Sequence, residues 1–171
     1  MPKKVYNNVE DHRLYDGKSL VEDVTKVGLP TISHPTTTID AAGMAMAIDM
    51  PNLTHVEAME YTIVHNNGTN CTLLHAPGRH KHEFRVARQV YNVAKGYFEH
   101  ESIKYILTGV HTKSEKGDIE TGSPYGTTET YSCLRYEEIR NGKTKVLIDG
   151  MAGIIQFNGT NYTDAVQNLL K

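Results

Sequence analysis

The sequence predicts a mainly β protein, an antiparallel β-sandwich or barrel formed by a single domain of 171 residues. Ten Tyr residues and an abundance of Thr favour the pleated, half-buried surfaces of sheets. Turn signals recur along the chain without the regular alternation of strands and helices that a parallel sheet requires. A chain of this length can bury a substantial core of its own.

The first third of the chain is predicted to hold an arm, a loop and two strands. Residues 1–19 are polar and contain turn signals, so we expect an extended N-terminal arm. A strand is expected over residues 19–27, which are followed by Gly28-Leu29-Pro30, and a loop or a loose hairpin over residues 33–42. Residues 43–50 alternate between two faces and predict a half-buried strand with four apolar residues on one face, namely Met44, Met46, Ile48 and Met50.

The middle of the chain continues this strand pattern. Strands are predicted over residues 55–65, 83–93 and 103–111, each with alternating apolar residues. Residues 70–75 are predicted to form a short helix that ends at Ala-Pro-Gly. Residues 113–126 contain three glycines and no apolar period, which predicts a long exposed loop.

A hairpin and a helix are predicted in the last third. Residues 127–139 and 143–149 alternate on either side of Asn141-Gly142, and Asn-Gly is the strongest short signal for a two-residue hairpin turn. Residues 163–170 carry apolar residues at helical spacing, with Thr163 or Asn161 able to cap the helix.

Composition and charge exclude several classes of protein. Eighteen Lys and Arg residues against twenty Asp and Glu residues give a formal charge of −2, which argues against a dedicated nucleic-acid binder. No apolar run follows the first residues, so we expect neither a secretory signal nor a membrane anchor. Cys71 and Cys133 are far apart and belong to no CxxC motif, which predicts two reduced thiols.

Motifs for catalysis and metal binding are incomplete. His80-Lys81-His82 would place two imidazoles on one strand face with His75 nearby, but no acidic or cysteine ligand follows at a recognised spacing. His55-Val56-Glu57 matches one half of the zinc deaminase pattern and lacks the other half. No glycine-rich phosphate loop occurs either. We therefore expect no catalytic residues, no cofactor, no metal site and no enzymatic activity.

Four stretches in a fixed order carry a resemblance to a known family. They are residues 24–32 (VTKVGLPTI), 42–49 (AGMAMAID), 108–118 (TGVHTKSEKGD) and 134–149 (LRYEEIRNGKTKVLID), the last followed by Phe157-Asn158-Gly159. Together they resemble the major tail tube proteins of contractile-tailed bacteriophages and R-type bacteriocins. The resemblance spans residues from about 15 to 162.

The resemblance implies a fold, an assembly and a function. It implies a β-sandwich with a flanking helix, six copies of which close into a ring with one continuous β-barrel around a lumen. Stacked rings would form the inner tube of a contractile tail, a structural conduit through the envelope of the target cell. DNA would pass through it in a phage and ions in a bacteriocin, without specific nucleic-acid binding.

The resemblance also implies partners and a location. The partners would be a surrounding sheath, baseplate and tail-terminator proteins, and a tape-measure protein. Assembly would take place in the bacterial cytoplasm, and the product would be part of a virion or a phage tail-like particle. Three alternatives stay open at this point, namely a secretion-system tube protein of the same fold, a β-sandwich module that binds a ligand such as carbohydrate, and a small intracellular enzyme.

Two sets of surface residues are predicted to serve the assembly. Polar arms and long loops suit contacts between stacked rings, and the candidates are Tyr6, Asn8, His34, Thr37, Ile39, Lys113, Glu115, Lys116, Asp118 and Tyr125. A conduit for DNA favours a neutral or acidic lining over a basic one, because basic side chains bind phosphate. The candidates for facing the lumen are Asp49, Glu57 and Glu60.

Overall fold

The computed structural model describes residues 3–66, 74 and 76–170, and nearly all of its regular structure is antiparallel β. In chain order the strands are β1 (Lys4–Asp16), β2 (Ser19–Val21), β3 (Val24–Gly28), β4 (Thr36–Ile39), β5 (Ile48–Pro51), β6 (Met59–His65), β7 (Arg79–Asn92), β8 (Tyr97–Lys116), β9 (Thr127–Arg140), β10 (Lys143–Asp149), β11 (Ile154–Phe157) and β12 (Thr160–Asn161). One short helix, α1 (Asp164–Leu169), follows the last strand.

Ten of these strands form one sheet that forks at β9. One edge of β9 pairs with β8 along its whole length. The other edge pairs first with β6, at residues 127–133, and then with β10, at residues 135–140. The fork lets a single long strand serve both a closed barrel and a smaller flap formed by β10, β11 and β12.

The barrel closes because β2 and β3 act as one bent strand. β2 pairs with β1, and β3 pairs with β6 on the opposite side of the sheet. Between them Asp23 has a φ of 67°, a left-handed conformation in which the chain turns the corner. The strand order β1-β7-β8-β9-β6-β3 therefore returns to β1 through the chain itself, and this closure covers the edge of β1 at residues 14–16.

Alternating side chains of the closed strands fill the barrel. The core includes Leu14, Ile63, Leu107 and the stacked pair Tyr61 and Tyr131, whose ring centroids lie 5.0 Å apart. Gly109 allows this packing, because a Cβ atom at that position would lie 2.8 Å from Cε1 of Tyr61 and 2.7 Å from the carbonyl oxygen of Ser132. A side chain on β8 at this point would push the Tyr61 ring out of the core.

Two hairpins extend beyond the barrel. β8 has 20 residues and spans on the order of 60 Å, so its hairpin with β7 reaches well past the strands of the closed part. β4 and β5 form a separate two-stranded sheet, and all of their residues are exposed. Both hairpins present surface that the described part of the chain does not cover.

Several local predictions are confirmed. The β9–β10 turn places Asn141 and Gly142 at φ values of 47° and 76°, as a type I′ turn requires. Helix α1 forms within the predicted 163–170, with Thr163 at its N-cap position. The alternating face of the strand predicted over 55–65 is buried as expected, although β6 begins only at Met59.

Other segments differ from the predictions. Most of the expected N-terminal arm is strand β1, because residues 4–16 find a partner in β7. The predicted strand over residues 19–27 is broken at Asp23 into β2 and β3. The segment 33–42, predicted as a loop or a loose hairpin, contains β4, and residues 113–116 of the predicted long loop extend β8. The predicted helix at 70–75 lies outside the described residues.

The segment 43–50 shows the largest difference in burial. Alternation predicted a half-buried strand, whereas only Ile48, Asp49 and Met50 are in β5 and residues 43–47 form turns and bends. The whole segment is exposed. Alternation indicates a strand with two different faces, and the described part of this subunit leaves the apolar face exposed.

Candidate assembly surfaces

The β4–β5 hairpin has one apolar face and one polar face. Its register places Ile39 opposite Ile48 and Thr37 opposite Met50. Ile39, Ile48 and Met50 are 44%, 40% and 52% exposed. On the other face the hydroxyl of Thr38 donates to Oδ1 of Asp49 at 2.6 Å. Burying the apolar face against another subunit would stabilise a complex, because about 25 cal/mol is gained per Å² of apolar surface removed from water.

Hydrogen bonds at its base hold this hairpin in a defined direction. The amide of Asn52 donates to the carbonyl oxygen of Pro35 at 2.8 Å, and the amide of Glu57 donates to that of Ser33 at 2.9 Å. The hydroxyl of Ser33 returns a hydrogen bond to Oε2 of Glu57 at 2.6 Å. Nδ1 of His34 lies 2.7 Å from the carbonyl oxygen of His55 and donates to it. Hydrogen bonds therefore join the two sides of the hairpin base.

Strand β1 has a long edge that is not paired within the described part of the chain. β2 covers only residues 14–16 of β1, which leaves residues 4–13 with one neighbour, β7. Val5, Tyr6 and Val9 are exposed along this edge, and the nearby tip of the β7–β8 hairpin adds the exposed Phe98. An exposed apolar edge of this length is a template for pairing with another chain.

The β8–β9 connection emerges at the other end of the long strands. Lys116 and Thr127 are the last paired residues, and the amide of Gly117 donates to the carbonyl oxygen of Gly126 at 2.7 Å. A Cβ atom at Gly117 would lie 2.5 Å from that oxygen, so glycine is required by the close approach. The loop 118–125 therefore projects from a tight neck, with the side chain of Ile119 exposed.

Helix α1 is amphipathic in sequence and is not packed on the described part of the subunit. None of its residues is buried, and Leu169 and Leu170 are 86% and 82% exposed. The helix is attached by the side-chain amide of Gln167, which donates to the carbonyl oxygen of Gly153 at 3.0 Å. A six-residue helix of this kind is marginal in water and gains stability when its apolar face is covered.

The end of the barrel near the β8–β9 connection holds a buried polar cluster. Oδ2 of Asp16 lies 3.7 Å from Nδ1 of His80, and Oδ1 of Asp16 lies 3.9 Å from Nε2 of His82. His82 is fully buried, and its Nδ1 lies 2.8 Å from the hydroxyl of Tyr61. Burial lowers the pKa of His82 to about 3, with further lowering by the neighbouring His80 and His65, so the imidazole is neutral at pH 7.

A buried carboxylate lies beside this cluster and is fully supplied with donors. Glu129 is fully buried and accepts hydrogen bonds from Nε2 of His111 at 2.8 Å and from the hydroxyl of Ser114 at 3.0 Å. The neighbouring Tyr131 donates from its hydroxyl to the carbonyl oxygen of Leu74 at 2.8 Å. These contacts explain how the barrel tolerates polar groups in its interior.

The sequence matches the family described as phage tail tube protein FII over residues 7–170. The chain belongs to this family. It is therefore a structural subunit of a tail tube, and hence a component of a virion or a tail-like particle. No curated protein matches the sequence.

Two solved structures contain chains of similar shape. One is the PVC sheath–tube complex of an extracellular contractile injection system in its extended state, seen by cryo-EM. The likeness has a TM-score of 0.53 at 13% identity and covers 75% of this chain and 87% of that one, so it confirms the fold. The other is the six-fold symmetrised baseplate of the anti-feeding prophage, with a TM-score of 0.45, 9% identity and coverage of 75% and 90%. At that TM-score the second likeness supports no inference.

The predicted stacking residues of this tube subunit fall in three separate places. Tyr6 and Asn8 lie on the exposed part of β1, and the guanidinium of Arg88 covers the Tyr6 ring at 4.2 Å from its centroid. His34, Thr37 and Ile39 belong to the β4–β5 hairpin and its base. The third group is at the far end of β8 and in the loop that follows, with Lys113, Glu115, Lys116, Asp118 and Tyr125.

The residues predicted to face the lumen do not form one patch in contact. Asp49 lies on the polar face of the hairpin and accepts from Thr38, and Glu57 is tied to Ser33 at the hairpin base. Glu60 lies on the outer face of β6, opposite Ser132 of β9. Next to that pair, Thr62 lies opposite Thr130, so Glu60 borders a hydroxyl-rich sheet surface.

Sequence reasoning missed two features of these surfaces. The unpaired edge of β1 was not predicted, because residues 1–19 were expected to form an extended arm that pairs with no other strand. Asp16 was not connected with the His80-Lys81-His82 motif, because that connection depends on the pairing of Asp16 with His82 across β1 and β7.

No described helix is long and apolar enough to cross a membrane.

Proposed function

We propose that the subunit closes into six-membered rings and that these rings stack into the inner tube of a contractile particle. Membership of the tail tube family across residues 7–170 carries this proposal. The exposed apolar face of the β4–β5 hairpin supports it, because this surface needs a partner of matching chemistry. The fold likeness to a chain of the PVC sheath–tube complex supports the contractile setting.

The ring contact is expected to use the edge of β1. A ring needs a heterologous interface, in which two different surfaces of each subunit meet and the rotation closes. The exposed edge at residues 4–13 is one such surface, since it presents unpaired backbone groups together with Val5 and Val9. Pairing it with a strand of the next subunit would extend the sheet from one copy to another and remove the edge.

Stacking needs a second interface that stays open-ended. The exposed part of β1 and the β8–β9 connection lie at opposite ends of the long strands, so copies stacked in one orientation would bring these ends together. The β4–β5 hairpin is the third segment, and the hydrogen bonds at its base would hold its apolar face toward a neighbouring ring. The ten candidate stacking residues belong to these three segments.

The lumen is expected to be neutral or acidic. Glu60 with the hydroxyl-rich surface of β6 and β9 fits this requirement, since threonine and serine hydroxyls do not attract phosphate as lysine and arginine do. Asp49 and Glu57 are the other candidates. DNA or ions would pass such a surface without being held, and the sheath, baseplate, tail-terminator and tape-measure proteins are the partners we propose.

Negative-stain electron microscopy of the concentrated, untagged protein tests the assembly. We expect rings or tubes with the natural chain, and loss of tubes for the double variant Ile39→Thr, Ile48→Thr. Threonine keeps the β preference of the hairpin and removes its apolar contact area. Thr38→Ser, on the opposite face of the same hairpin, is the matched control and should still form tubes.

Two outcomes would contradict the proposal. A natural chain that stays monomeric at all concentrations would exclude self-assembly and favour a ligand-binding module. Unchanged tubes in the double variant would show that the hairpin face is not an assembly contact.

A further inference from the structure

The Asp16, His80 and His82 cluster, named here the Asp-His-His site, combines two imidazoles with one carboxylate. One ligand atom from each residue lies within 4.8 Å of those of the others. β1 and β7 place the three side chains together, because Asp16 is opposite His82 in the antiparallel register and His80 lies two residues away on the same face. Two nitrogen ligands and one oxygen ligand form a donor set that suits zinc and related divalent ions.

The hydrogen bonds of His80 leave the correct nitrogen free for a metal. Nε2 of His80 lies 2.7 Å from the carbonyl oxygen of Ala76, and a carbonyl can only accept, so Nε2 carries the proton. In the neutral ring Nδ1 then bears the lone pair, and Nδ1 is the atom that faces Asp16 at 3.7 Å. Histidine ligands at metal sites usually donate their other ring N–H to a backbone carbonyl or a carboxylate in this way.

His82 offers a buried nitrogen that has no hydrogen-bond partner in the described part of the chain. This atom is Nε2, which lies 3.9 Å from Oδ1 of Asp16, while Nδ1 of the same ring is engaged with the hydroxyl of Tyr61 at 2.8 Å. A buried polar atom without a partner is costly and calls for an explanation. A cation coordinated at Nε2 would give this atom a partner, while Nδ1–H would donate to the hydroxyl of Tyr61.

The distances suit a small tetrahedral ion. Bonds of about 2.0–2.2 Å to nitrogen and oxygen place tetrahedral ligands about 3.3–3.5 Å apart, a few tenths of an ångström less than the separations from Asp16 to the two imidazoles. The rings of His80 and His82 are near-parallel, with an interplanar angle of 14°. The Asp16 side chain is 25% exposed and gives an ion access from solvent.

We propose that the Asp-His-His site binds one divalent transition-metal ion, with zinc as the best fit. This proposal departs from the expectation from sequence, which found no third ligand near His80-Lys81-His82. The ion would join the end of β1 to β7 within a single subunit. The site therefore does not depend on ring assembly, and its test is separate from that of the tube.

Calorimetric titration of zinc into the untagged, chelator-treated chain tests the site. We expect one equivalent per chain, and at least about tenfold weaker binding for Asp16→Asn and for His80→Gln, since each removes one ligand. His100→Gln is the matched control. This exposed histidine pairs with Glu10 away from the site, and its loss should leave zinc affinity unchanged.

Two measurements on the natural chain keep the proposal testable if the ligand variants fold poorly. Cobalt(II) should give the intense visible absorption of a tetrahedral nitrogen–oxygen site. Zinc should also raise the melting temperature in a concentration-dependent way, because a ligand that binds only the folded state stabilises it. Uptake of less than one zinc per chain, an octahedral cobalt spectrum, or equal affinity in the ligand variants and His100→Gln would overturn the proposal.

Discussion

The barrel and the β4–β5 hairpin are both built from strands with one apolar face. The barrel buries this face, whereas the hairpin exposes it. In β6 the alternating residues Tyr61 and Ile63 point into a closed interior and are fully buried. In the hairpin, Ile48 and Met50 alternate in the same manner along β5 but face solvent, as does Ile39, the cross-strand partner of Ile48. Alternation therefore specifies a strand with an apolar face, and the surrounding chain decides whether that face is covered within one subunit or by another.

The difference separates stability from assembly. The barrel supplies the free energy that keeps one subunit folded, because its apolar residues lose water on folding. Under the proposed assembly, the apolar face of the hairpin would lose water only when a second copy covers it. Substitutions in the barrel should thus change the free energy of unfolding, and substitutions in the hairpin should change assembly at nearly constant stability.

The largest expected effect is that of Ile63→Ala in the core. Removing a fully buried isoleucine side chain leaves a cavity, and we expect a loss of about 2–5 kcal/mol in the free energy of unfolding. Urea unfolding of dilute, unassembled protein followed by circular dichroism measures it. Ile48→Ala makes the same chemical change on the exposed hairpin and should cost less than about 0.5 kcal/mol. Equal losses of unfolding free energy in Ile63→Ala and Ile48→Ala would contradict the expected difference between the barrel and the hairpin.

Gly109→Ala should have the next largest effect. The added Cβ atom would meet the Tyr61 ring and the carbonyl oxygen of Ser132 at less than 3 Å, so we expect overpacking to cost about 1–3 kcal/mol. The same unfolding experiment measures the loss. Gly150→Ala is the control, because the nearest atom to its Cβ, the carbonyl oxygen of Leu134, would be at an ordinary contact distance of 3.6 Å. A stable Gly109→Ala chain would show that Tyr61 can move aside.

Asp149 should make a smaller, pH-dependent contribution at the β10 end of the flap. Burial opposes ionisation of its carboxyl group, but the amide of Ala152 and the guanidinium of Arg135 outweigh burial and lower its pKa. A group whose pKa is lower in the folded state stabilises the fold above its unfolded pKa, and this contribution is lost as the pH falls through the folded value.

Stability measured from pH 7 down to pH 2 tests this contribution. We expect Asp149→Asn to remove about 1 kcal/mol at pH 7 and little at the lowest pH, where the natural carboxyl is protonated as well. Asp164→Asn, on the exposed helix α1, serves as the control with no such convergence expected. Parallel pH profiles for Asp149→Asn and the natural chain would contradict this assignment.

The smallest effect on subunit stability should follow excision of the loop 118–125. The hydrogen bond from Gly117 to Gly126 closes its neck, so an Asn-Gly turn can replace the loop without disturbing the pairing of β8 with β9. We expect a change of less than about 0.5 kcal/mol in unfolding free energy, together with single rings in place of tubes in electron micrographs. Normal tubes from this variant would remove the loop from the stacking contact.

Local pattern was sufficient for the elements whose partners are close in sequence. The β9–β10 hairpin follows from Asn141-Gly142 between two alternating runs, and α1 follows from helical spacing after Thr163. Both depend on interactions within a few residues, so the sequence contains the whole cause. The order of four motifs likewise indicated the tail tube family, which the match over residues 7–170 confirms.

Pairing between distant segments could not be obtained in this way. Residues 4–16 are polar and resemble an arm, and only the long strand β7 makes them β1. The approach of Asp16 to His80 and His82 has the same origin, because a register across two strands depends on every pair along them. The exposed state of Ile48 is also non-local, since alternation says nothing about which layer covers a face.

The sequence by itself determined that this protein is antiparallel β, that its last third holds a tight hairpin and a short helix, and that it belongs among tail tube subunits. The tertiary structure decided how the sheet forks and closes, which apolar faces remain uncovered, and where the Asp-His-His site forms. The physical reason is the distance along the chain over which each kind of interaction acts. Turn chemistry and periodicity act over a few residues, whereas closure, register and burial depend on contacts between segments far apart in the chain.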